Sequence, residues 1–148
     1  MAQNGKASTT RKTFSRSTEV NIKIDASQET VWEILTDASD YPNWNSTIIS
    51  LDGKIEKGEK IQLISTLDPE RTFKLKVKDL QENESLKWGD GMGTRTFSLS
   101  KDGDITIFHM HEKIGGNPMF PLFAKMIPDF DESFEAFAKD LKREAESR

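Results

Sequence analysis

The stretch Asp25–Asn45, DASQETVWEILTDASDYPNWN, reads as a short helix, a break and an aromatic turn, and the rest of the chain is arranged around it. Ser27 is placed to accept a backbone N–H as an N-cap, with Ala26 and Val31 where a hydrophobic staple falls. Val31, Trp32, Ile34 and Leu35 recur at helical spacing as an apolar stripe, leaving Glu33 for solvent. Asp37, Ser39 and Asp40 end the helix, and the Tyr41-Pro42 step disfavours helical backbone at Tyr41. Trp44, between Asn43 and Asn45, is read as an anchor whose indole N–H needs a partner once buried. The competing reading gives Tyr41 or Trp44 a ligand-gating role.

Strands lie on both sides of this stretch. Ahead of it, Val20, Ile22 and Ile24 alternate with Glu19, Asn21 and Lys23 in the period of a half-buried strand. Behind it, Thr47–Leu51 and Lys60–Ser65 form an antiparallel pair, with Asp52, Gly53 and Gly58 in the connection. Arg71–Leu80 places Phe73, Leu75 and Val77 on one face and Lys74, Lys76 and Lys78 on the other. Without interleaved aromatics that basic row reads as a solvated sheet face rather than a nucleic-acid or lipid contact. Leu86 and Trp88 carry the inward face onto the next strand. Gly89, Gly91 and Gly93 have the spacing of a phosphate cradle, but no helix follows to supply its N-terminus, so a nucleotide site is not expected.

Asp102-Gly103 joins Thr94–Lys101 to Asp104–Ile114 as a hairpin. With those two residues as the loop, Leu99 faces Thr106, Phe97 faces Phe108, Arg95 faces Met110 and Gly93 faces Glu112. Arg95 and Glu112 are then diagonal neighbours on the inward face and should pair, because either charge alone in an apolar cavity carries a desolvation cost. The outer face holds Ile105, Ile107, His109 and His111. The histidines share a side but lack a third ligand nearby, so no metal site is expected. Beyond Gly115-Gly116, prolines 118, 121 and 128 interrupt a short apolar helix. A longer one is expected over Asp129–Glu146, with Asp129 and Glu132 as a capping box and Phe130, Phe134, Phe137, Ala138 and Leu141 facing the sheet.

The 148 residues suffice for one domain with a real core. The sequence has no cysteine, which excludes disulfides, thiolate catalysis and zinc-thiolate sites. Mean hydropathy is −0.64, and no transmembrane segment or secretory signal is apparent, so the expected location is cytoplasmic. Residues 1–16 carry Lys6, Arg11, Lys12 and Arg16 without an acid, and are expected to be a disordered basic leader before a single domain over 17–148. Without those four cations the formal net charge of −4 becomes about −8, which argues against nucleic-acid binding.

The order of elements resembles the START-like superfamily, also called SRPBCC or helix-grip, and within it the polyketide cyclase/dehydrase-like branch. The resemblance covers nearly all of Glu19–Arg148. It rests on Val31-Trp32, Asp37, Tyr41-Pro42-Asn43-Trp44-Asn45, Gly58, Leu86-x-Trp88, Arg95-x-Phe97-x-Leu99, Thr106-x-Phe108-x-Met110-x-Glu112 and Pro128-Asp129. It implies an α+β helix-grip fold: a seven-stranded antiparallel sheet curled around a long C-terminal helix, two short helices between the first two strands, and an apolar cavity inside.

Three functions follow as expectations. The first is binding or transport of a small hydrophobic or amphipathic molecule such as a lipid, polyketide or aromatic metabolite, without a cofactor. Its lining is Phe73, Leu75, Trp88, Arg95, Phe97, Phe108, Met110, Glu112, Phe130, Phe134 and Phe137. The second is a polyketide cyclase or dehydratase with Arg95 and Glu112 as candidate catalytic residues, Arg95 orienting a carbonyl or carboxylate and Glu112 acting as base. The third is a partner-binding module whose Ile105 and Ile107 patch a homodimer would cover.

Overall fold

The computed structural model describes residues 4–148. Among them are strands β1 Ala7–Arg11, β2 Ser15–Ile24, β3 Ile48–Gly53, β4 Lys60–Ser65, β5 Asp68–Gln81, β6 Ser85–Gly89, β7 Gly93–Asp102 and β8 Ile105–Gly115. They form one antiparallel sheet in the order β1-β2-β8-β7-β6-β5-β4-β3. Helices α1 Gln28–Thr36 and α2 Tyr41–Trp44 separate β2 from β3, and α3 Phe120–Phe123 and α4 Asp131–Glu146 follow β8. α4, about 24 Å long at 1.5 Å per residue, packs its Phe137 against Phe97 and Phe108 of the sheet. The α+β helix-grip architecture is as expected, but among the described residues the sheet has eight strands instead of seven, and the proline-broken helix α3 makes four helices where the resemblance implies two short and one long.

The extra strand comes from the stretch read as a disordered leader, whose first three residues lie outside those described. β1 has too little apolar surface to order itself, and α4 and the turn just before it supply polar partners instead. Ala7 N–H donates to Glu135 Oε2 at 3.0 Å, the Thr9 hydroxyl donates to Asp131 Oδ1, and Arg11 Nη2 donates to Asp129 Oδ1. This strap also explains why the expected capping box is absent: Asp129 is engaged by Arg11, and α4 begins at Asp131 with Phe130 as an N-cap that makes no side-chain bond.

Two local expectations change in an informative way. Ser27 caps α1 as read, accepting from Thr30 N–H at 3.1 Å. Tyr41, however, is helical at φ −51, ψ −45 despite the following proline. Its ring is fully buried and its hydroxyl donates to Leu35 O at 2.7 Å, which offsets the steric cost. In the β7–β8 hairpin the loop is Gly103-Asp104 instead of Asp102-Gly103, with Asp102 opposite Ile105. Gly103 takes φ +64 at the first central position, as a type II′ turn requires. Each expected pair therefore slides by two: Arg95 faces Glu112, Phe97 faces Met110 and Leu99 faces Phe108. A slide of two preserves the pleat, so every inward residue remains inward.

Candidate functional site

The expected lining residues converge on one core, but they fill it. Trp88, Phe97, Phe108, Met110, Phe134 and Phe137 are buried, while Phe73, Leu75 and Phe130 are partly buried against the same cluster. Phe137 stacks on Phe97 at 5.7 Å and on Phe108 at 6.1 Å, and Trp88 meets Phe97 edge-on at 4.8 Å. Tyr41 closes the group at 6.2 Å from Trp88 and 6.3 Å from Phe137. The room the sequence suggested as a cavity is thus occupied by the rings themselves. Two surface clefts, of about 350 Å³ beside Asp37, Ser39 and Ile55 and about 230 Å³ beside Ser27, Lys101 and Thr106, touch none of these side chains.

At the β2 start, where the ring cluster ends, the inner face turns polar. Arg95 Nε donates to Glu112 Oε1 at 2.7 Å, both side chains being largely shielded. The Arg95 guanidinium lies 5.0 Å from the Phe134 ring centre and 5.8 Å from that of Phe137, close enough for cation–π attraction. The pairing expected from the sequence is present, across directly opposed residues instead of a diagonal.

Arg16 joins them, and the sequence reading missed it by placing it in the leader. On β2 it sits one inward position beyond Thr18, which faces Glu112. It is 3% exposed, its Nη1 and Nη2 donate to Ile127 O at 3.3 Å and Pro128 O at 2.7 Å, and its guanidinium covers Phe130 at 5.0 Å. Burial and then the nearby Arg11 charge hold its pKa below the usual arginine value, against the attraction of Asp129 and Glu112. The available signal was the period-2 series Arg16, Thr18, Val20, Ile22, Ile24, which runs through polar residues before it becomes apolar.

The aromatic turn serves as an anchor. Burial pushes the Tyr41 phenol well above its ordinary pKa, the Arg95 charge acting the other way, so Tyr41 remains a hydrogen-bond donor to Leu35 O. Trp44 is 4% exposed and packs edge-on against Phe137, but its indole N–H has no hydrogen-bond partner among the described residues, contrary to expectation. α4 is fixed beside this turn by Asp140, which accepts from Ser46 N–H at 2.8 Å and from the Ser46 hydroxyl at 2.7 Å.

On the outer face His109 and His111 stack 6.4 Å apart, and Glu19 approaches His109 at 3.8 Å. No group of three metal-ligating side chains is placed to hold an ion among the described residues. Lys74, Lys76 and Lys78 are exposed, and Ile105 and Ile107 are half-buried. Gly89 is required for packing: a side chain there would fall on the Gly93 carbonyl, and Asp90 Oδ1 accepts from the Met92 and Gly93 N–H groups to close the turn. Among the described residues no helix is long and apolar enough to cross a membrane.

No curated protein matches the sequence. Among solved structures, the chain is similar to the Zhui aromatase/cyclase from Streptomyces sp. R1128, with a TM-score of 0.72 at 16% identity over 90% of this chain and 95% of that one. A START superfamily protein from Mycobacterium smegmatis gives a TM-score of 0.66 at 21% identity over 88% and 97% of the two chains. A conserved protein of unknown function from Enterococcus faecalis gives 0.66 at 17% identity over 93% and 75%. At these identities the likeness is one of fold. The sequence family described as polyketide cyclase / dehydrase and lipid transport matches residues 15–146, from the first residue of β2 to the last of α4, and the chain belongs to that family.

Proposed function

We propose that the protein binds a small hydrophobic or amphipathic molecule between the sheet and α4, with its polar end at Arg95 and Glu112 and its apolar part among Phe97, Phe108 and Phe137. The carrying observation is the Arg95–Glu112 pair set against the Phe134 and Phe137 rings at the edge of an otherwise apolar interior. A guanidinium there supplies direction and polarity to an apolar site, and the surrounding rings supply area. Membership of a family described by cyclases, dehydrases and lipid transport supports the same reading.

Because the rings occupy the interior, a ligand enters by displacing them, and the segment between β8 and α4 is the part that yields. It carries Met119, Leu122 and Met126 exposed to solvent, with short helical turns broken by prolines. Native mass spectrometry of protein purified from its host tests the reading, together with thermal shifts against a panel of fatty acids, aromatic acids and polyketide-like phenols. A co-purified small molecule, or a raised Tm with one class, is the expected result. No bound molecule and no shift across the panel overturns it.

A further inference from the structure

We propose that Arg16 and Arg95 together form a seat for a carboxylate, so that the ligand is an amphipathic acid and not a neutral lipid. This rests on the ligand-binding reading above and specifies the chemistry of its polar end. Arg16 comes from β2 and Arg95 from β7, the strands on either side of β8. Their guanidiniums cover adjacent rings of one stacked pair: Arg16 over Phe130 and Arg95 over Phe134, each at 5.0 Å, with the rings 6.0 Å apart and nearly parallel. Glu112, opposite Arg95 on β7 and Thr18 on β2, is the carboxylate that stands between their strands.

Two cations and one anion leave this cluster one charge positive. Two further acids act on Arg16 from outside this group: Asp129, at 3.9 Å, is exposed and already engaged by Arg11, and Asp131 accepts from the Thr9 hydroxyl. The hydrogen bonding is incomplete as well. Arg16 Nε is buried without a partner among the described residues, and the other guanidinium nitrogens donate to two neutral carbonyls. Arg95 commits Nε to Glu112, and its terminal nitrogens have no hydrogen-bond partner among the described residues. A buried guanidinium held by neutral acceptors is incompletely compensated, and a planar carboxylate matches its fork. The acceptors it would replace, Ile127 O and Pro128 O, belong to the segment that must move for a ligand to enter. Opening that segment thus frees the Arg16 fork as the ring-lined interior becomes accessible.

The test is calorimetric titration with decanoate and decanol, probes of equal chain length that differ in the head group, at mildly alkaline pH. The wild-type protein should prefer decanoate by about tenfold or more. Arg16→Met should remove most of that preference, decanoate losing affinity relative to decanol measured in the same variant. Glu112→Gln, which removes the competing carboxylate and does not depend on Arg16, should strengthen decanoate binding several-fold. An undiminished preference in Arg16→Met, or weaker decanoate binding in Glu112→Gln, overturns the carboxylate seat. Equal affinity of both probes for the wild-type protein overturns the seat alone, whereas binding of neither overturns the ligand-binding reading and the seat with it.

Discussion

The ring-filled middle of the grip and its charged mouth stand one inward position apart on the same strands: Phe97 beside Arg95 on β7, Met110 beside Glu112 on β8, Val20 beside Thr18 on β2. In the middle, stability comes from apolar area removed from water and from close ring packing, which need no particular partner. At the mouth, it depends on Arg95, Glu112 and Arg16 each finding a counterpart, and Arg16 Nε has none among the described residues. The middle is therefore suited to hold the fold, and the mouth to exchange internal partners for a ligand.

That contrast can be broken first at Phe137, the ring at the centre of the stack. Phe137→Ala should cost about 3–5 kcal/mol in urea unfolding, as for a fully buried aromatic. A loss below about 1 kcal/mol would mean that the middle is a loose cavity lining instead of a packed core. Next in size, Glu112→Ala leaves the Arg95 charge uncompensated among rings and should cost about 2 kcal/mol. In Arg95→Met/Glu112→Leu most of that loss should be recovered, and strictly additive effects in the double-mutant cycle would contradict the pairing.

A smaller effect is expected at the strap. Thr9→Val removes the hydroxyl that meets Asp131 and Thr18, and should cost about 1 kcal/mol. Amide exchange should accelerate in β1 while β8 stays protected, whereas uniform acceleration would show that β1 is part of the global unfolding unit. The smallest effect lies on the outer face. Burial lowers the His111 pKa below its ordinary 6.5, with His109 adding to the shift and Glu19 opposing it. Stability from this depressed pKa is present above 6.5 and is lost as the pH falls through the folded value. Tm should therefore fall on mild acidification, and fall less in His111→Gln. An identical decline in the variant would remove His111 as a cause.

The middle was more legible in sequence than the mouth. Period-2 alternation places Phe97, Leu99, Phe108 and Met110 inward whatever the turn, and the two-residue slide from an Asp102-Gly103 loop to a Gly103-Asp104 loop leaves that parity intact. The turn chemistry decided only whether Arg95 met Glu112 diagonally or face to face. Whether those inward rings line a void or fill it depends on volumes, and the alternating pattern contains faces but no volumes. Arg16 was hidden for another reason. Ser15, Arg16, Ser17 and Thr18 show no apolar alternation of their own, and they read as strand only by extending backwards the period of Val20, Ile22 and Ile24, which their pairing with β8 completes. β1 was hidden in the same way, since it is held by acids of α4 and of the turn before it, more than a hundred positions away in sequence.

The central claim is that a ligand seats inside the grip with its chain among the rings. Filtered NOE spectroscopy on isotopically labelled protein with unlabelled decanoate tests it directly. The account predicts contacts from the decanoate chain to the rings of Phe97, Phe108 and Phe137 and to the Met110 methyl, with the chain's carboxyl end nearest Arg95. Contacts confined to the solvent-facing Leu122 and Met126, or to Ile105 and Ile107 on the outer face, would contradict it.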